Sequence, residues 1–134
     1  VAWSPQFRNM RKVLFHVFSA LPQAFLDMET DVRSAPAVKE AKAWERQQRK
    51  DIQNFLEKAG KVLIRAGARE KDVEARIQDR RKGIARDIIQ EASQGYDLIV
   101  IGKHGVSGIR DFFLGSISQK VLQLAKDVSV LIVN

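Results

Sequence analysis

Short apolar segments of strand length alternate along this chain with longer segments whose apolar residues recur at helical spacing. The strand-length segments lie at residues 13–18, 73–78, 98–101 and 128–133. Strands that alternate with helices are typical of parallel sheets, because a parallel pair needs a long crossover connection that a helix supplies. The alternation therefore predicts an α/β fold with an open, mostly parallel sheet and helices on both of its faces.

The longest predicted helix begins after Ser34, which can cap it, and ends at Gly67. Its apolar residues recur at three- and four-residue spacing and are expected to face the core: Val38, Ala41, Trp44, Ile52, Phe55, Leu56, Ala59, Val62, Leu63 and Ala66. Two shorter helices are predicted, one over residues 84–92 and ending at Gly95, the other following Gly115. Residues 98–101 are continuously apolar, which predicts a strand covered on both faces.

Composition fits one globular domain over residues 1–134, since the chain is 45% hydrophobic and 29% charged. No segment approaches the roughly 20 apolar residues of a membrane helix, and no signal peptide is recognisable. The absence of cysteine excludes a disulfide framework, a thiolate nucleophile and the usual structural zinc site. We expect a cytoplasmic protein without a membrane or metal site.

The net charge of +7 raises the possibility of a polyanionic partner. Most cations are mixed with acids along helical segments, however, which is typical of a solvated helix face. The tight basic cluster is Arg80-Arg81-Lys82, just before a helix that begins after Gly83. Because cations oppose the helix dipole there, the cluster is either an anion or partner site or simply an exposed turn. Nucleic acid is not the favoured partner.

The segment after residues 98–101 carries the most chemical information. Gly102, Gly105 and the pair Gly115-Ser116 form a G-x2-G-x9-G-S pattern that leaves the carboxyl end of a strand and opens a helix. Open α/β sheets bind ligands at that edge, and glycines let the backbone approach a bulky anion. Free N–H groups at the helix start favour phosphate, and the Ser116 hydroxyl can donate to it or cap the helix. The pattern is neither a Walker A loop nor the dinucleotide fingerprint.

Residues 95–134, with this pattern between an Asp-Leu-Ile-Val-Ile-Gly strand and a final Ser-Val-Leu-Ile-Val strand, resemble the universal stress protein family. A looser similarity extends back to residue 13. The resemblance implies a five-stranded, Rossmann-like sheet and, in the nucleotide-binding branch, bound ATP or AMP with or without Mg²⁺. In that branch the residues matching Gly102, Gly105, Gly115 and Ser116 surround the phosphates and ribose, Ile117 adds a backbone contact, and Val17 lies near the adenine. The predicted nucleotide-binding set also includes their neighbours Ile101, Lys103 and His104.

Several side chains near this pattern have two interpretations. Lys103, His104 and Arg110 can each meet a phosphate or be ordinary solvent-exposed loop residues. His16 lies in an apolar segment and is interpreted as a core or edge residue rather than a ligand. Two distant histidines without a carboxylate cluster do not suggest a metal site.

The beginning of the chain departs from the family, whose first strand ends in an aspartate that contacts the nucleotide. Here no Asp or Glu precedes Asp27, and only residues 4–12 separate Trp3 from the strand at Val13. That is short for a helical crossover. Either the first helix and the aspartate are lost, or residues of an intact domain are missing near positions 2–6, which we favour. An intact protein mass of 15.2 kDa would contradict the second explanation.

Catalysis has little support, because no Gly-x-Ser-x-Gly turn and no carboxylate pair flank the loop. No catalytic residue is predicted, and slow ATP hydrolysis is the most that we expect. Two functions remain: a dimeric, nucleotide-dependent switch in the stress response, or an interaction module that no longer binds nucleotide. The last strand, residues 129–134, begins at Ser129 and ends at Asn134. It is expected at a sheet edge, where a second copy can pair with it.

Overall fold

The computed structural model describes residues 5–103 and 114–134. The chain divides into two compact units, Val1–Asp79 and Arg80–Asn134, which are described separately as the N-terminal and C-terminal units. The helices are α1 (Pro5–Arg8), α2 (Gln23–Leu26), α3 (Ala35–Arg65), α4 (Ile84–Ala92) and α5 (Ser116–Leu124); the strands are β1 (Lys12–Phe18), β2 (Val73–Asp79), β3 (Leu98–Gly102) and β4 (Ser129–Val133). Two 3-10 turns cover Asp27–Thr30 and Glu70–Asp72.

The N-terminal unit is a parallel strand pair covered by the long helix α3. Strands β1 and β2 pair from Lys12 opposite Val73 to Phe18 opposite Asp79. Helix α3 contacts both strands, and Gly60 is buried where it crosses them. A Cβ on Gly60 would lie 3.5 Å from Val73 and 3.8 Å from Leu14, so this glycine marks the close approach of helix and sheet.

The side of α3 that faces the strands was predicted only in part. Val38 and Leu56 are buried, as expected. The prediction that Trp44 and Phe55 are core residues is wrong, because their side chains are 60% and 69% exposed. An α-helix turns about 100° per residue, so Phe55 points well away from its neighbour Leu56. A broad apolar stripe therefore covers both the buried face and one exposed flank.

The C-terminal unit is a second parallel strand pair with two helices. Strands β3 and β4 pair from Leu98 opposite Ser129 to Gly102 opposite Val133, and α4 and α5 contact each other. Val100 is 49% exposed, and Leu131, its partner in the register, is also exposed. The prediction that this strand is covered on both faces is therefore wrong for the described residues. Its continuous apolar run reflects one half-buried face and one more open apolar face.

The expected fold class is confirmed as α/β with parallel strands, but not as one five-stranded sheet. The described residues contain two separate two-stranded sheets. The fifth strand was expected at the start of the chain, and residues 1–4 lie outside the described ranges. The described residues therefore contain four strands, β1 to β4. The assignment of one domain to the whole chain stays a prediction.

Helix boundaries agree with the turn residues. Gly67 and Gly95 follow α3 and α4 with φ values of 104° and 96°, a left-handed conformation that glycine adopts without a Cβ clash. The one-turn helix α1 was not predicted. Among the described helices, none is both long and apolar enough to cross a membrane.

Candidate functional site

The two ends of the glycine-bearing loop are held together by backbone hydrogen bonds. The Lys103 N–H donates to the Val133 carbonyl over 2.7 Å, which extends the β3–β4 ladder by one residue. The Gly115 N–H donates to the Lys103 carbonyl over 2.8 Å. The end of β3 and the start of α5 are thereby joined directly, and the loop between them leaves and returns at one point. Residues 104–113 lie outside the described ranges.

A buried hydroxyl adds a third connection between β3 and α5. Ser118 is 4% exposed, and its Oγ donates to the Gly102 carbonyl over 2.6 Å. This bond fixes the first turn of α5 against the last residue of β3. It also gives a partner to a carbonyl at the strand end. The sequence did not single out Ser118, because a serine two residues inside a helix carries no positional signal without the strand beside it.

The start of α5 is left without a side-chain cap. Gly115 is the N-cap residue with φ −57° and ψ 149°, and within residues 5–103 and 114–134 no side chain caps the first turn. The alternative that Ser116 caps the helix is therefore wrong: its hydroxyl makes no capping bond, and the residue is exposed. The first amides of an α-helix have no partner within the helix, and together with the dipole they attract an anion.

The structure brings most of the predicted site residues into the C-terminal unit. Ile101 and Gly102 close β3, Lys103 follows, and Ser116 and Ile117 open α5 after Gly115. His104 and Gly105 lie outside the described ranges, as does Arg110. Val17 belongs to the N-terminal unit, where it is buried in β1 opposite Gln78. The position of Val17 near an adenine stays a prediction.

Asp87 is a buried carboxylate that no sequence pattern indicated. It lies in the first turn of α4 and is 1% exposed. Its carboxylate accepts hydrogen bonds from the backbone N–H of Arg81 over 2.7 Å and from that of Lys82 over 3.0 Å. Burial alone would raise the pKa of Asp87, but hydrogen bonds from the Arg81, Lys82 and Gly83 backbones, with the charge of Arg81, lower it below its usual value.

Asp87 changes the interpretation of the basic cluster before α4. The sequence pattern of Arg80-Arg81-Lys82 is compatible with an anion or partner site and with an exposed turn. All three residues are exposed, and the anion at this helix start is the chain's own carboxylate, Asp87. A carboxylate in the first turn stabilises the helix, because its negative charge lies near the positive end of the helix dipole. The turn before α4 is therefore held in place by hydrogen bonds to Asp87 of the same chain.

His16 lies half-buried in β1, and this burial lowers its pKa from the usual value. Burial disfavours the imidazolium, so the side chain stays neutral further into the acid range than a solvated histidine. This agrees with the interpretation of His16 as a core or edge residue. Within residues 5–103 and 114–134, no three His, Asp or Glu side chains converge on a point where a metal ion would fit.

The fold and the site define an α/β protein of parallel strands with a closed strand–loop–helix at its C-terminal end. A model of the universal stress protein family matches residues 2–134, and the chain belongs to this family. It is similar to the universal stress protein YxiE of Bacillus subtilis (strain 168), with 40% identity over 79 residues. The match covers 56% of this chain and 53% of that relative, so the chain spans about half the length of the curated relative it matches. Family membership supports a role in the stress response.

Proposed function

We propose that the protein binds an adenine nucleotide, ATP or AMP with or without Mg²⁺, and acts as a nucleotide-dependent regulator in the stress response. The observation that supports this most directly is the strand–loop–helix. Its base is closed by the bond from Gly115 to Lys103, and the helix that follows begins without a side-chain cap. A phosphate bound there would accept hydrogen bonds from N–H groups of the first turn of α5, to which no side chain of the described residues bonds.

The chain's residues fit a phosphate group at this position. Ser116 is exposed at the first position of α5, and its hydroxyl can donate to a phosphate, since no described residue accepts from it. Lys103 is partly exposed at the end of β3 and can screen phosphate charge. The contacts of Gly105 with the phosphates and ribose, of Ile117 through its backbone and of Val17 with the adenine are carried over from the resemblance. His104 is proposed to meet a phosphate. We propose no catalytic residue, and at most slow hydrolysis.

Purified protein is expected to release ATP or AMP when it is denatured, as measured by anion-exchange chromatography of the supernatant. Ligand-free protein is expected to melt at a higher temperature when ATP and Mg²⁺ are added, because a ligand that binds only the folded state stabilises it. GTP under the same conditions serves as the control. If no nucleotide is released and the melting temperature stays constant up to millimolar ATP, the binding proposal fails.

A second candidate function is an interaction module that has lost nucleotide affinity. The observation that favours it is the absence of any Asp or Glu before Asp27, where the family carries its nucleotide-contacting aspartate. A failed binding experiment on folded protein would leave this candidate standing. A released adenine nucleotide would remove it.

We further propose that β4 pairs with the same strand of a second copy. Ser129 donates its N–H to Asp97, and Val133 accepts from Lys103, so alternate residues of β4 direct their backbone groups toward β3. The intervening residues, Val130 and Ile132, therefore present theirs to the opposite edge. An apolar strand with an open edge is prone to pair with another strand.

Ile132→Pro removes one outward N–H of β4 without touching the bonds to β3, and is expected to lower the sedimentation coefficient because pairing through this edge is lost. Sedimentation velocity measures the change. Ile132→Val is the matched control, because it keeps the N–H and most of the side chain. An unchanged sedimentation coefficient for Ile132→Pro, in protein with an unchanged circular dichroism spectrum, would contradict pairing through this edge.

A further inference from the structure

Helix α3 carries large apolar side chains on a flank that the described residues of the N-terminal unit leave exposed. Trp44, Phe55 and Val62 are 60%, 69% and 61% exposed. A scattered exposed leucine or valine is common, but aligned large apolar residues mark interaction surfaces. We call these three residues the α3 stripe. It belongs neither to the candidate phosphate site nor to β4.

The spacing of the α3 stripe places its members on one line along the helix. Phe55 follows Trp44 by 11 residues and Val62 follows Phe55 by seven. An α-helix turns about 100° and rises about 1.5 Å per residue, so steps of 11 and seven residues each return to within roughly 20° of the starting direction. The stripe is roughly 27 Å long. The buried residues Val38 and Leu56 lie about 100° or more around the helix from it. The stripe is therefore the exposed flank of the broad apolar face whose other flank is buried.

We infer that the α3 stripe docks on the α3 stripe of a second copy of this chain, with the two helices antiparallel. The spacing is self-complementary about the level of Gln53. Trp44 and Val62 each lie nine residues, or roughly 13 Å, from that level, so Trp44 of one copy meets Val62 of the other. The two Phe55 rings come within roughly 6 Å along the axis, a distance at which aromatic rings stack with an offset. Self-complementarity of this kind is what a two-fold interface requires.

Charges within the stripe select the antiparallel orientation. Asp51 and Lys58 are exposed between its apolar residues on the same side of α3. A parallel pair would place Asp51 against Asp51 and Lys58 against Lys58, which is unfavourable for like charges. In the antiparallel pair, Asp51 of one copy lies within roughly 5 Å along the axis of Lys58 of the other. Asp51 and Lys58, which lie between the apolar residues of the stripe, thus form opposite-charge contacts between the two copies.

The natural absence of cysteine allows a direct test by cross-linking. Asp51→Cys leaves the apolar residues intact and puts a thiol near the two-fold axis. Gln53→Cys is the matched control, because Gln53 is also exposed but lies roughly 160° around the helix from Phe55. With a short bis-maleimide reagent, we expect Asp51→Cys to form covalent dimer about tenfold faster than Gln53→Cys.

Two further variants test the orientation and the apolar contact. Lys58→Cys alone is expected to cross-link slowly, since the two thiols would lie roughly 15 Å apart along the axis, whereas a mixture with Asp51→Cys cross-links fast. Adding Phe55→Glu to Asp51→Cys is expected to slow cross-linking about tenfold, because it removes the central anchor. Far-UV circular dichroism checks that the exposed substitution leaves the helix intact.

Each remaining outcome overturns the inference. Equal rates for Asp51→Cys and Gln53→Cys, or no effect of Phe55→Glu, would mean that the copies meet by collision. Fast cross-linking of Lys58→Cys alone would mean a parallel pair. Repeating the series in the Ile132→Pro background separates the α3 stripe from pairing through β4, because the inference requires the same order of rates there.

Discussion

Gly115→Val is expected to weaken adenine-nucleotide binding by roughly ten- to a hundredfold, because a branched side chain would occupy the space next to the first turn of α5. The φ of −57° and ψ of 149° at Gly115 are accessible to any residue. The glycine is therefore not needed for the backbone conformation, and its N–H bond to Lys103 survives the substitution. A loss of affinity without a loss of stability would place the missing Cβ against the ligand.

Isothermal titration with ATP and Mg²⁺ measures this loss, and thermal melting of the ligand-free protein checks the fold. Gln119→Val is the matched control, since it adds the same side chain to an exposed position of α5 one turn later. Its affinity should equal that of the unaltered protein. Unchanged affinity in Gly115→Val would contradict a phosphate at the start of α5. It would leave open a nucleotide bound elsewhere, which separates this result from a failure of binding altogether.

Asp87→Ala is expected to destabilise the protein by about 2 to 4 kcal/mol, because two backbone N–H groups lose their acceptor in a buried turn. For a chain of this size, that corresponds to a drop of roughly 10 °C in melting temperature. Asp87→Asn should recover part of the loss, since its amide oxygen can accept one of the two N–H groups. Asp97→Ala, which removes an exposed carboxylate from the same unit, is the control. Equal melting of Asp87→Ala and Asp97→Ala would show that the two short bonds at Asp87 contribute nothing.

The effect of Asp87 is also expected to depend on pH. Its pKa is lowered in the folded protein, so the unfolded chain binds a proton more readily than the folded one. The carboxylate therefore stabilises the fold above its unfolded pKa of about 3.9, and this contribution fades as pH falls through the lower folded pKa. The difference in stability between the unaltered protein and Asp87→Asn should accordingly be constant near neutral pH and shrink below about pH 4. Urea unfolding between pH 7 and pH 3 measures it.

Local sequence alone predicted the four described strands and the helices α3, α4 and α5. The apolar segments became β1 to β4, and the helical spacing between Ser34 and Gly67 became α3. Apolar periodicity and glycine turns act over a few residues, so their effect can be read without knowing what lies across the fold. The G-x2-G-x9-G-S pattern likewise predicted a strand end joined to a helix start. The family followed from the same residues and is confirmed.

Only the tertiary structure decided which side of each element is covered and which polar groups meet. Trp44 and Phe55 fit the helical period of the core but lie on its exposed flank, because the period does not say which flank contacts β1 and β2. The buried partner of the basic turn, Asp87, becomes visible only once residues 81–83 fold back over the start of α4. The bond from Ser118 to Gly102 joins residues 16 apart in sequence. Such contacts depend on packing between elements, and no local pattern encodes them.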